Sequence, residues 1–554
     1  MCHERNVRYR PRLVLLACLL AASLLYAACG GGDSGSPPSV PQTSVSGPTG
    51  SASAGPSRRP SSPTGSPTTV DLASSSPTSV IYAVSEGDLR SDQPGLAAGD
   101  VNGDGIDDIV VGGRFADGPA GRTDAGAAYI IFGAKSPPAS VDLAQEQQDI
   151  TIIGANPGDN LGYSAAVADL NGDGVRDIIL GAPFASPPDQ ATRQRSVVGG
   201  AAYVFFGRRD FPRTIDLASA PADVTISGTN FNAFFGDSLA AGDVNGDGAP
   251  DLIIGAPFDS SPGTGVRGGA AYVFFGRRQW PHTLATTDGD VSLYAADDGD
   301  ELGDFVVSGD INGDGISDVI VTAEAADGPD NSRTTGAEVH VLFGRRDISG
   351  TFDIARGQQD LTVYGAQPND TLGFSLAAGD VDGDGIDDLV MGARFAAGAG
   401  EAVTHAGKVY VLYGRQGLPR IVDLATPPDY VAAFYGPAPS ALLGICELVA
   451  DVDGDGHNDL VMGTGNVEEM SRSNAGAVYV SSAPAGGTLS AVNSATLRTM
   501  IAGAEVDAYL GSNLAAADFN GDGRLELVTV AEGASGPDGT RHGAGRVYVI
   551  SLGR

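Results

Sequence analysis

A chain of 554 residues with 80 Gly, 42% hydrophobic and only 18% charged residues reads as a turn-rich β protein, neither disordered nor helical. Its 68 acidic residues outweigh 33 basic ones, and a net charge of −35 argues against any nucleic-acid partner. So many carboxylates in one fold repel each other unless cations are bound, and bound cations are the first expectation.

The N-terminus comes first in chain order. Arg5, Arg8, Arg10 and Arg12 precede an apolar run over residues 13–25, the arrangement of an export signal too short to cross a bilayer. The run ends at Tyr26-Ala27-Ala28-Cys29, which resembles the bacterial lipobox, although Tyr26 stands where Leu is usual. Leu15-Leu16-Ala17-Cys18 matches the local pattern too, but leaves an apolar run too short for export. The resemblance implies a signal peptide over 1–28, cleavage before Cys29, and lipidation of Cys29; simple secretion is the alternative. Between residues 30 and 69, 32 of 40 residues are Gly, Ser, Pro or Thr, so 29–69 reads as a disordered tether. As a coil it spans roughly 35 Å. The expected location is therefore the cell envelope or outer surface, with a lipid anchor as the sole membrane contact. Cys2, Cys18 and Cys29 belong to the signal region, so the folded part keeps only Cys446 and no internal disulfide is available to it.

The rest of the chain is a repeat. Asp100-Val101-Asn102-Gly103-Asp104-Gly105 recurs in related form seven times, at spacings of 67 to 74 residues. Around each copy the same order returns. A stretch rich in small residues such as 161–168 leads in, and the apolar run Asp177-Ile178-Ile179-Leu180-Gly181-Ala182-Pro183 follows. A variable polar loop then leads to Ala201-Ala202-Tyr203-Val204-Phe205-Phe206, and Val224-Thr225-Ile226-Ser227 closes the unit. Short β-branched and aromatic runs punctuated by Gly read as strands, and four per unit in seven units predicts an all-β, seven-bladed propeller over 79–554. The last unit stops after its third strand, while residues 79–84 form an orphan strand ahead of the first unit. Pairing the two would close the ring and remove an exposed edge.

The recurring loop places oxygen ligands at alternate positions of a tight turn, which is how Ca²⁺ is wrapped. Position 1 is Asp100, Asp169, Asp243, Asp310, Asp380, Asp451 or Asp518. Position 3 is Asn102, Asn171, Asn245, Asn312, Asp382, Asp453 or Asn520. Position 5 is Asp104, Asp173, Asp247, Asp314, Asp384, Asp455 or Asp522. Position 7 offers a backbone carbonyl from Ile106, Val175, Ala249, Ile316, Ile386, His457 or Arg524, which leaves the His457 side chain incidental. An EF-hand would carry Glu at position 12, where apolar residues or Thr529 stand. The further acid sits at position 9: Asp108, Asp177, Asp251, Asp318, Asp388, Asp459 or Glu526. About seven structural Ca²⁺ are expected, with the Glu526 loop the candidate for the weakest.

These units resemble the FG-GAP repeat of the integrin α-chain propeller and its bacterial relatives. Leu161-Gly162 stands at the Phe-Gly pair, and Gly181-Ala182-Pro183 and Gly255-Ala256-Pro257 match the Gly-Ala-Pro element. Other units drift, as in Gly392-Ala393-Arg394 and Thr322-Ala323-Glu324. The resemblance implies Ca²⁺ in the hairpins between first and second strands and recognition on the opposite face.

No catalytic constellation stands out among six scattered His and the many carboxylates. The expected role is a monomeric, surface-anchored module that binds or adheres to an extracellular protein or glycan. A propeller hydrolase or lyase and a structural envelope component are the alternatives. Arg193 and Arg195, in the longest variable loop, are the candidate contacts for an acidic partner.

Overall fold

Strands of four to six β-branched and aromatic residues cannot bury both faces alone, so each sheet is completed by its neighbours. In the computed structural model, residues 68–553 are described apart from 91–92, 94, 187–198, 399–402, 482–488, 492–496, 538 and 540. Cys29, the signal, residues 29–67 of the expected tether, and Arg193 and Arg195 lie outside the described residues.

The described chain forms seven sheets, here blades I to VII. Blade I contains Leu96–Gly99, Asp108–Gly113, Ala127–Ile131 and Ile150–Ile153 in antiparallel order. Blade II repeats this with Ala165–Ala168, Asp177–Ala182, Ala201–Phe205 and Val224–Ser227. The first strands of blades III to VII are Leu239–Gly242, Leu302–Gly309, Leu372–Gly379, Glu447–Ala450 and Leu510–Ala517. Each first strand touches that of the next blade, and the seventh touches the first, so the ring closes. Small residues such as Ala165, Ala166 and Ala168 permit that close approach.

Second strands are buried along their whole length and third strands nearly so, only Glu338 and Arg546 being half-buried, which is why they lack polar alternation. Between blades II and III, Ile179, Val204 and Ile226 pack with Leu252, Tyr272 and Phe274 in one continuous core. Trp280 belongs to the same cluster, and its indole N–H donates to the Leu170 carbonyl at 3.1 Å.

Each blade adds a fifth strand to the four expected from the repeat. It is short, pairs parallel to the fourth, and comes from the chain of the following blade. Thr214–Asp216 on blade I, for example, lies between the third and fourth strands of blade II. The sequence signal is a β-branched residue followed by Asp, as in Val141-Asp142, Ile215-Asp216 and Val422-Asp423. In Ser140–Asp142, Thr214–Asp216 and Ile421–Asp423 the apolar residue is buried, and in four blades the Asp receives an Arg from the loop between second and third strands of the blade it covers. Arg122 makes a bidentate pair with Asp216 at 2.7 Å on both oxygens, and Arg333 does the same with Asp423 at 2.6 and 2.7 Å. Arg472 with Asp71 and Arg541 with Asp142 repeat the latch on blades VI and VII. Arg122 also donates to the Ala155 carbonyl and is largely covered, so Arg122→Ala should cost about 2 kcal/mol. A lower urea midpoint at unchanged slope, and a matching loss in Asp216→Ala, is the expected result; a midpoint equal to the parent's would leave the latch without energetic weight.

The N-terminal segment staples two blades. Ser79–Tyr82 pairs antiparallel with Arg546–Ile550 as the fourth strand of blade VII. Thr68–Asp71 pairs parallel with Leu497–Ala502 as the fifth strand of blade VI. Thr68 and Thr69, read from composition as the end of the tether, are therefore strand residues. Their Ser/Thr/Pro-rich surroundings hide the outer-strand motif Val70-Asp71-Leu72, which matches Ile215-Asp216-Leu217.

Candidate functional site: the acidic loop ring and the opposite face

In each acidic loop the chain folds round its own first carboxylate. Asp100 Oδ1 accepts from the backbone N–H groups of Gly103 and Asp104 at 2.6 and 3.1 Å, and Oδ2 from Gly105 at 2.8 Å. Asp104 accepts from the Ile106 N–H at 2.9 Å. Positions 4 and 6 require positive φ, +73° at Gly103 and +89° at Gly105, so glycine recurs there.

Position 9 does more than the sequence indicates. Asp108 is fully buried and accepts from the backbone N–H groups of Val101, Asn102 and Gly133 and from Asn102 Nδ2. Gly133 follows the third strand, so this one carboxylate ties the loop to the body of the blade. Asp177, Asp251, Asp318 and Asp388 repeat the bond to the glycine two residues beyond the third strand. Burial pushes the Asp108 carboxyl up to about 7, and repulsion from Asp104 and Asp100 adds to the shift. Asp177, Asp251 and Asp388 are likewise pushed up to about 7 by burial, and Asp318 to about 8.

Position 7 also has a side-chain role. Val175 lies against Gly103 of the preceding loop, Ile316 against Gly246, Ile386 against Gly313, and Ile106 against Gly521 of blade VII. A methyl group on Gly246 would come within 2.8 Å of Ile316 Cδ1. His457 occupies the same place over Gly383, and Arg524 over Gly454. Ala249 is too short to reach Gly172, where nothing approaches within 4 Å. The loops thus touch one another round the face, with one gap.

The donor set suits a hard divalent cation. In the two loops with Asp at position 3, three carboxylates converge: Asp380, Asp382 and Asp388, and Asp451, Asp453 and Asp459, each set within 4.8 Å. Where position 3 is Asn, its amide nitrogen faces position 9, as in Asn312 to Asp318 at 2.9 Å and Asn102 to Asp108 at 3.2 Å.

The opposite face carries residues that the motif analysis missed. Ring contacts run from Tyr163 to Phe184, then Phe234, then Phe258, with centroids 6.1, 4.8 and 4.9 Å apart. The Arg114 guanidinium lies over Tyr163 and Phe115, at 5.0 and 4.5 Å. Farther round, Arg394 lies over Phe374 and Phe395, and Phe374 meets Phe305 at 5.6 Å. Glu324 stands 3.8 Å from Arg394, and the pair adjoins Asp304 and Glu301. Burial holds the Glu324 carboxyl well above its usual range, with Asp304 adding to it and Arg394 opposing. A signal was present: the residue after the Gly-Ala-Pro-type triplet is Phe115, Phe184, Phe258 or Phe395 in four blades.

Fold and loops together define a seven-bladed β-propeller with acidic inner hairpins. Residues 94–131, 161–205, 235–274, 302–342, 372–412 and 510–550 match the FG-GAP repeat, residues 451–529 match an FG-GAP-like repeat, and the chain belongs to this family. It is 28% identical over 383 residues to the phosphatidylinositol-glycan-specific phospholipase D of Bos taurus, a match covering 66% of this chain and 42% of the phospholipase. It is 31% identical over 237 residues to the integrin alpha pat-2 of Caenorhabditis briggsae, covering 41% of this chain and 17% of the integrin. The chain thus spans about two-fifths of the length of the phospholipases it matches. Among solved structures, the exotype rhamnogalacturonan lyase YesX aligns over 85% of this chain and 73% of its own, at a TM-score of 0.36 and 11% identity.

Proposed function

We propose that this chain is an exported, calcium-stabilised propeller that binds an extracellular protein or glycan through the face opposite its acidic loops. Calcium would be held by the side-chain oxygens at positions 1, 3, 5 and 9 and the carbonyl at position 7. Its part is structural: neutralising carboxylates and fixing seven hairpins that touch round the face at all junctions but one. Lipidation at Cys29 would keep a monomeric head at the cell envelope.

The observation that carries the binding reading is the aromatic and guanidinium array on the opposite face. Phe115 is 39% exposed, beside Arg114, and the ladder from Tyr163 to Phe258 extends it. Flat apolar rings flanked by cations suit a protein anchor or the face of a sugar. Arg193 and Arg195 are proposed as further contacts there, because the second strand of blade II ends and its third strand begins at this face.

The test begins with a screen of the purified chain against glycans, matrix proteins and whole cells. Phe115→Ala combined with Phe184→Ala should weaken any binding found by tenfold or more, about 1.4 kcal/mol or above, while melting in calcium stays unchanged. Binding unaffected by the pair would move the site elsewhere. A hydrolase reading draws its support from the phospholipase relatives and is tested by a hydrolase panel on the same preparation.

A further inference from the structure

Blade VI carries a charge reversal beside its acidic loop. In blades I to IV the residue just before the fourth strand's pairing is an acid: Asp149, Asp223, Asp290 or Asp360. Each accepts from a backbone N–H beyond the third strand, at 2.8 to 2.9 Å. Three of them also pair with Arg208, Arg277 and Arg345. In blade VI the corresponding residue is Arg498.

The backbone re-aims it. Third and fourth strands pair Val480 with Thr499 and then Ser481 with Leu497, so Arg498 is the extra residue of a β-bulge. Its side chain is 23% exposed and reaches the blade's own acidic loop. Nη1 lies 2.7 Å from Asp453 Oδ2 and 2.5 Å from Asp455 Oδ2, joining the carboxylates at positions 3 and 5. Blade V supplies the internal comparison, because Asp380, Asp382, Asp384 and Asp388 reproduce all four acids. Its residue in the same register, opposite Leu412 at the end of the third strand, is Val431, which brings no charge to the loop.

We infer that Arg498 is a built-in counter-cation of the blade VI loop, which occupies the position 3 and position 5 carboxylates that a calcium ion would need. The inference rests on the proposal that the other loops bind calcium. A guanidinium and a divalent ion cannot share those oxygens without strong repulsion, so metal must displace the arginine. Loop VI is therefore satisfied at low calcium and fills last, in place of the Glu526 loop that its departure from Asp at position 9 marks as the weakest. Blade V, with the same acids and no arginine, fills with the main class.

The experiment counts bound ions on the full chain by equilibrium dialysis across a calcium series, for the parent, Arg498→Gln and Arg498→Lys. The parent should hold six ions in one class, with the seventh needing at least tenfold more free calcium. Arg498→Gln should move the seventh into the main class, whereas Arg498→Lys, which keeps the charge, should behave as the parent. A parent that fills all seven together, or an Arg498→Gln chain with an unchanged count, overturns the inference. Melting in excess chelator gives an arm that needs no metal. There Arg498→Gln should melt below the parent, and calcium should abolish the difference. Equal melting in chelator also overturns it. A parent that binds no calcium at all sinks the calcium proposal itself and the competition with it.

Discussion

Excess chelator should lower the melting temperature by more than about 10 °C relative to millimolar calcium. A site held at a hundred times its dissociation constant contributes about 2.7 kcal/mol, and several sites act together. Seven divalent ions would bring the net charge from −35 to about −21, relieving repulsion where acids are densest. The loops touch through position 7, so emptying them should loosen the whole face rather than seven separate hairpins. Identical melting in chelator and in calcium would rule out a structural metal.

Deleting residues 68–84 should abolish cooperative folding, whereas deleting 30–67 should leave melting within about 1 °C. Removal of the first segment strips the fourth strand from blade VII and the fifth from blade VI. Ile81 and Ala83 are fully covered and Leu72 nearly so, and burying an Ile or Leu side chain is worth about 1.5–3 kcal/mol. Arg472 and Arg541 would be left without Asp71 and the backbone carbonyl of Ala83, and two edges would open. Limited proteolysis reads the difference directly. Equal resistance of the two truncated chains would mean that the ring holds without its staple.

The blades and loops were legible because their signals are local and repeated: an apolar run, a glycine turn, an acid every second residue. The fifth strand was not. Its three residues, such as Thr214–Asp216, lack any run long enough to register, and they complete the blade before their own. Position 9 was read for its charge alone, since nothing local shows that Gly133, 25 residues downstream, donates to Asp108. Arg498 was hidden for the same reason, standing 45 residues from Asp453 and turned by a bulge that only strand register discloses. The aromatic ladder was dispersed over blades whose adjacency comes from ring order.

The parallel pairing of Thr68–Asp71 with Leu497–Ala502 also sets how the domain would bear a mechanical load. The fourth strand of a blade starts at the acidic-loop face, and its parallel neighbour starts there too. A pull on the chain ahead of Thr68, resisted by a partner held at the opposite face, therefore runs along the strands. Under such a load the backbone hydrogen bonds between these strands are sheared together instead of unzipped one by one. The Arg472 to Asp71 ion pair lies at the far end of the same strand, so it would resist slippage after the hydrogen bonds begin to yield.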